Sequence, residues 1–270
     1  MRTVFFISDR TGITAEALGN SLLTQFTDIE FKRINLAFID TPSKAKHAAN
    51  QVKEASEADG RPALIFSTQI SKEYRQLLIS SGGIFFDFFE TFISKLEETL
   101  GTKSSQTVGL FHSMTDENNY GNRIDSINYA LSCDDGLNIK NYDRADIILT
   151  GVSRSGKTPT CLFLALQYGI FAANYPLIEE DLETIKLPTI LQKNKNKLFG
   201  LSINPVRLQN IRDERRSNSG YASIDQCRKE IKLAEDMFVQ NQVPFLDTSH
   251  TSIEEIAGRI LNKSSIKRRY

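Results

Sequence analysis

Gly151-Val152-Ser153-Arg154-Ser155-Gly156-Lys157-Thr158 follows an apolar run at 147–149 and precedes a helix-patterned run at 159–168. The eight residues satisfy GxxxxGK[ST] in the context that gives the pattern meaning, a loop leaving a strand and opening a helix. Its glycines permit backbone angles that turn successive N–H groups toward an anion, and the helix N-terminus adds about half a positive charge. Lys157 supplies a cation and Thr158 a hydroxyl for Mg2+, while Pro159 lacks only an N–H that the first helical turn leaves unpaired. Average composition produces the pattern by chance in about 1% of chains of this length. Residues 151–158 are therefore read as a phosphate cradle, with Lys157 and Arg154 as catalytic candidates and Thr158 as the candidate metal ligand.

Outward from that loop, short apolar runs alternate with helical patterns. Toward the N-terminus, strands are expected at 4–7, 34–39 and 63–66, with helices at 13–26, 43–58 and 71–79. Toward the C-terminus, strands are expected at 146–150, 171–173, 198–203 and 244–246, with helices at 206–216, 224–240 and 252–261. This rhythm is that of α/β proteins with parallel sheets. The expected organisation is an N-terminal α/β domain (1–105), a connecting loop and helix (106–145) and a P-loop kinase-like α/β domain (146–270). The helix of the connection is expected at 123–131. No internal repeat is evident in the letters.

The acid that completes such a site is not singled out by the letters. The apolar run at 199–203 ends in Asn204, an amide, whereas Asp247 and the pair Asp134 and Asp135 are carboxylates at turns. A helix-like stretch carries Arg207, Arg212, Arg215 and Arg216, any one of which suits a transferring phosphoryl group, among the acids Asp213 and Glu214. Near the N-terminus, residues 8–14 also join a strand to a helix; helix capping is the simpler reading and a second anion site the alternative. His47, His112 and His250 are too scattered for a metal triad or a Ser/His/Asp set.

Composition closes off other classes. Among 270 residues, 33 basic and 33 acidic side chains cancel, so no general field draws nucleic acid or anionic lipid. Hydrophobic residues at 40% and charged residues at 24% suit a folded chain with a core. Cys133, Cys161 and Cys227 are spaced for neither disulfides nor zinc, and no run is long enough for a signal sequence or a membrane span. A cytoplasmic location is expected.

The order and spacing of several segments resemble one family end to end. They are Ile7-Ser8-Asp9 with Thr11, Ile13, Thr14, Ala15 and Glu16; Asp134-Asp135-Gly136; the loop at 151–158 with Pro159-Thr160; Ala172-Ala173-Asn174-Tyr175-Pro176; and residues 212–223. The family is that of the bacterial phosphoenolpyruvate synthase regulatory proteins, which also includes regulators of pyruvate, phosphate dikinase. Gly156 before Lys157 resembles the synthase-regulating branch.

The resemblance implies an ADP-dependent serine/threonine kinase that inactivates phosphoenolpyruvate synthase by phosphorylating a threonine near its catalytic histidine, forming AMP. It also implies the reverse regulation, in which inorganic phosphate removes the phosphoryl group as pyrophosphate. ADP, phosphate and Mg2+ are the small molecules so implied, and a homodimer stays open. The chain departs from the family pattern at Cys133, where histidine is usual, and at Asn204, where aspartate is common. Asp135 or Asp134 is then the candidate to orient or deprotonate the acceptor hydroxyl. The competing classes are a small-molecule P-loop kinase and a nucleotide-sensing protein without transfer.

Overall fold

Strand β1 (Arg2–Ile7) shows how this sequence builds a sheet covered on both faces. Successive side chains point to opposite sides, so Phe5 and Ile7 join one apolar cluster while Val4 and Phe6 join another. Because both faces are covered, the strand is continuously apolar rather than alternating. The computed structural model describes residues 1–105, 107, 117–215, 220–264 and 266, and the chain divides into two units, Met1–Ser113 and Met114–Tyr270.

The first unit runs β1, α1 (Ile13–Leu23), β2 (Phe31–Leu36), α2 (Pro42–Asp59), β3 (Leu64–Ser67), α3 (Lys72–Ile79), β4 (Ile84–Asp87) and α4 (Glu90–Leu100). Helix α2 starts where Thr41 accepts the Lys44 N–H and Pro42 opens the first turn. It buries Ala45, Ala48 and Val52, a stripe at helical spacing, against Phe5, Ile7 and Ile65. On the other face Gly19 lets α1 sit close to the sheet, since a Cβ there would lie 2.5 Å from the Phe6 ring.

The second unit runs α5 (Glu117–Ser132), two 3₁₀ turns, β5 (Ile147–Gly151), α6 (Lys157–Tyr168), β6 (Ala172–Pro176), α7 (Glu179–Glu183), α8 (Thr189–Lys193), β7 (Leu198–Ser202), α9 (Pro205–Arg215), α10 (Ile224–Gln240), β8 (Phe245–Asp247) and α11 (Ile253–Lys263). Strand β5 is buried throughout, with Ile148 in one cluster and Ile147 and Leu149 in the other. Helix α10 places Cys227, Ile231, Ala234, Met237 and Phe238 into the first of these.

Every strand pairing is parallel, and the fold is α/β as the rhythm requires. The sheet orders are β2-β1-β3-β4 and β6-β5-β7-β8. Each unit therefore puts its first strand inside, its second on one flank and its third and fourth on the other. The letters show no repeat, yet the two units share this backbone order, because a buried strand accepts many apolar residues and preserves little letter identity.

Other differences are local. Strand β2 begins at Phe31 and ends before the expected 39, and β4, short and half-exposed at an edge, was hidden behind the Gly82-Gly83 break. Helix α5 is longer than the expected 123–131; residues 106 and 108–116 of the expected connection lie outside the described residues. Among the described residues no helix is long and apolar enough to cross a membrane.

Gly200 supplies a test of how tightly the second core closes. A Cβ built there would stand 2.7 Å from both Phe238 and Phe245. Gly200→Ala is expected to cost about 1–3 kcal/mol by overpacking, read as a lowered thermal midpoint; an unchanged midpoint would contradict this packing.

Candidate functional site

The 152–156 loop leaves β5 at the point where the sheet order diverges, with β6 on one side and β7 on the other. Crevices of this kind, beyond the carboxyl ends of parallel strands, are where open α/β sheets hold ligands. Gly151 has φ 150° and its missing side chain is essential, since a Cβ would lie 2.2 Å from the Leu201 carbonyl oxygen. Gly156 begins α6 with φ 92°, a left-handed angle that glycine adopts without steric cost, and no side chain caps that helix. Arg154 also takes a left-handed φ, 76°, which costs a non-glycine residue about 1–2 kcal/mol, and its side chain is exposed.

Lys157 is only 4% exposed and donates to the Val152 carbonyl at 2.8 Å, bridging the loop from inside. Burial pulls its pKa down to about 8, opposed by the nearby carboxylates of Asp135 and Asp134. The Ser155 carbonyl accepts from Thr248 Oγ1 at 3.1 Å, tying the loop to the turn after β8. The Ser155 hydroxyl is buried with no hydrogen-bond partner. Val152, also buried, packs into the core beneath.

The acids sort themselves by geometry. Thr158 Oγ1 donates to Asp134 Oδ1 at 2.9 Å, and Asn174 Nδ2 donates to Asp134 Oδ1 at 2.6 Å, to Asp135 Oδ1 at 3.2 Å and to Thr158 Oγ1 at 3.0 Å. Asp134 thus meets the loop threonine directly, 24 residues before it, and Asp135 joins the group through Asn174. Asp135 reaches this place with a φ of 48°. Asn204 instead accepts from the N–H groups of Val206 and Arg207, starting α9, and Asp247 accepts the Ser249 N–H. Both are turn residues, as their sequence context allowed.

The oxygen-rich set of Thr158, Asp134 and Asp135 has the chemistry of a site for a hard cation such as Mg2+. Asn174 Oδ1, buried beside it with no partner, is a further unused acceptor. Among the described residues no group of three His, Cys, Asp or Glu assembles. His47 and His250 are exposed, and His112 lies outside the described residues.

The arginines also separate. Arg212 is fully buried; its guanidinium donates to Glu230 Oε2 at 2.6 Å, to the Tyr221 carbonyl at 2.9 Å and to the Ser153 carbonyl at 3.4 Å. It also stacks over the Tyr221 ring at 4.0 Å, whose hydroxyl donates to Ser153 Oγ at 2.9 Å. Arg212 is therefore a brace under the loop with its charge committed to Glu230. Arg207 and Arg215 are exposed, and Arg216 lies outside the described residues. Sequence reasoning gave no role to Asn174, Tyr221, Glu230 or Thr248, although Asn174 and Tyr221 lie in segments that carry the family resemblance.

Fold and site together describe an α/β protein whose central loop buries a lysine beside two carboxylates, an arrangement suited to phosphotransfer. The chain belongs to the kinase/pyrophosphorylase family, whose model matches residues 4–261. It is 49% identical over 269 residues to a protein of Pseudomonas putida (strain W619), covering 100% of this chain and 99% of that one. It is 51% identical over 268 residues to one of Alkalilimnicola ehrlichii (99% and 97% covered) and 51% over 267 to one of Hahella chejuensis (99% and 98%). All three carry the name "Putative phosphoenolpyruvate synthase regulatory protein".

Two outcomes are expected of the site. Because the empty chain releases the Lys157 proton as pH rises through about 8, affinity for ADP should fall above that pH by up to about tenfold per unit. Lys157→Arg, which stays charged, should show a flat profile between pH 7 and 10 in equilibrium dialysis; parallel profiles would contradict the assignment. Arg212→Ala leaves Glu230 without its partner and should cost about 3–5 kcal/mol in urea unfolding, whereas a loss below about 1 kcal/mol would mean the brace is dispensable.

Proposed function

We propose that this protein is a bifunctional regulator of phosphoenolpyruvate synthase, an ADP-dependent serine/threonine kinase and a phosphate-dependent, pyrophosphate-forming phosphorylase acting on the same threonine. The family and the names of the relatives support the reaction class and the target. The observation that carries the reading is the bond from Thr158 to Asp134, with Asp135 joined to the same group through Asn174, beside a loop that buries Lys157.

In the forward reaction the acceptor threonine oxygen bonds to the β-phosphorus of ADP, the bond to the bridging oxygen breaks, and its electron pair leaves on AMP. The Lys157 ammonium and the start of α6 face the charge that spreads over the transferring group. Asp135, exposed at the rim, takes the hydroxyl proton, and Asn174 holds its carboxylate in place. Thr158, Asp134 and Asp135 would hold Mg2+, which when bound neutralises phosphate charge. In the reverse regulation an oxygen of inorganic phosphate bonds to the phosphothreonine phosphorus, pyrophosphate forms, and the threonine oxygen leaves and regains a proton. Arg154, exposed on the loop, meets the transferring phosphoryl group from the solvent side.

The test is mass spectrometry of phosphoenolpyruvate synthase, phosphorylated on its catalytic histidine, after incubation with this protein, Mg2+ and ADP. A new phosphothreonine is expected, removed on adding phosphate with release of pyrophosphate. Folded Lys157→Ala should lose at least about 100-fold in rate, and Asp135→Asn about 10²–10⁴-fold. ADP binding without phosphothreonine would replace this reading with a sensor, and AMP formation driven by a metabolite alone would replace it with a small-molecule kinase.

A further inference from the structure

Ser153 is held at two atoms by side chains 59 and 68 residues further along the chain: Arg212 Nη2 donates to its carbonyl at 3.4 Å and the Tyr221 hydroxyl to its Oγ at 2.9 Å. Tyr221 is fixed in turn. Its carbonyl accepts from Arg212 Nη1 at 2.9 Å, its ring centre lies 4.0 Å from the guanidinium carbon, and Arg212 is anchored on Glu230. Gln226 Nε2 donates to the same carboxylate at 3.0 Å from the first turn of α10, which Ser223 caps. The phenol hydroxyl has no part in this anchoring. Among the described residues its one partner is Ser153, so the brace stands without it.

A serine hydroxyl has one proton to donate and two lone pairs to accept with. Where a phenol occupies one lone pair, the serine proton cannot point back along the same line and is left for another acceptor. Among the described residues Ser153 Oγ donates to none, and the residue is half-buried on a loop whose next residue, Arg154, is exposed. The second grip acts on the backbone. The peptide that follows Ser153 is trans and planar, so a carbonyl turned toward Arg212 sends the Arg154 N–H the opposite way. Two adjacent donors, the Ser153 O–H and the Arg154 N–H, are thus left facing away from the brace. An anionic oxygen is the acceptor that suits them, because hydrogen bonds to an ionised group are the stronger kind.

We propose that Tyr221 is a positioning residue of phosphoryl transfer: through its hydroxyl it fixes Ser153 so that the serine O–H donates to an oxygen of the transferring phosphoryl group. The inference rests on the reading of the loop as the transfer site, and the group concerned is the one that Arg154, the neighbour of Ser153, meets. Tyr221 touches no substrate and acts through Ser153. The proton stays on Ser153 throughout, so no covalent bond forms or breaks at either residue. The gain comes from a hydrogen bond that strengthens as negative charge spreads over the phosphoryl oxygens. Without the phenol, Ser153 turns among its staggered rotamers and the donor is no longer set in advance.

The experiment is steady-state transfer from ADP to phosphoenolpyruvate synthase phosphorylated on its catalytic histidine, read as phosphothreonine by mass spectrometry, for Tyr221→Phe, Ser153→Ala and the double variant. Tyr221→Phe keeps the ring on Arg212 and should leave the thermal midpoint unchanged while lowering kcat about tenfold, with KM for ADP moved by less than about threefold. Ser153→Ala should lower kcat about 100-fold, as loss of one preorganised donor does. The double variant should be no worse than Ser153→Ala alone within about threefold, because the phenol then has nothing to position. Losses that multiply to about 1,000-fold, a Tyr221→Phe protein with full kcat, or one whose loss lies in KM or in the thermal midpoint would overturn the positioning role and leave the transfer activity standing. No phosphothreonine from the unaltered protein would instead remove the reading of the loop, and this inference with it.

Discussion

The close passage of Gly151 beneath the Leu201 carbonyl sets the geometry on which the site depends. With no room for a Cβ between β5 and β7, the chain leaves the sheet at an angle that only glycine reaches here, and the next five residues fold back over the strand ends. From that exit follow the burial of Lys157 against Val152 and the contact of Ser155 with Thr248. The loop is held from below by the Arg212, Glu230 and Tyr221 assembly, whose charges are satisfied within the protein, so the brace does not compete for the ligand.

Placing a lysine in a nearly water-free position has an electrostatic consequence. Its charged form is destabilised when the cradle is empty and is restored by an anion, so binding and protonation of Lys157 are linked. The two carboxylates partly offset this cost and at the same time gather Thr158 and Asn174 into one hydrogen-bonded group. Asn204 and Asp247 stand apart from this group and serve as turn residues.

The two units show how far a backbone plan can outlast its letters. Buried parallel strands need only apolar residues of suitable size, so β1 and β5 share a position in the sheet without sharing a sequence. The five-residue exit and the glycine that starts the helix do persist, since each answers a backbone requirement. Replacement of the lysine position by Ile13 removes the feature that makes the second loop recognisable as a phosphate cradle from sequence.

What the sequence determined by itself were the features with a short range: the alternation of strand and helix, the eight-residue loop and the helix behind it, and the family to which their order belongs. Each rests on local geometry or on residues adjacent in the chain. Tertiary structure decided which acids stand beside the loop, because Asp134 meets Thr158 on α6 and Asp135 meets Asn174 on β6 only in the folded chain. It also decided that Arg212 is a brace rather than a phosphate ligand, since a charge is committed by its burial and its partner, Glu230, eighteen residues away.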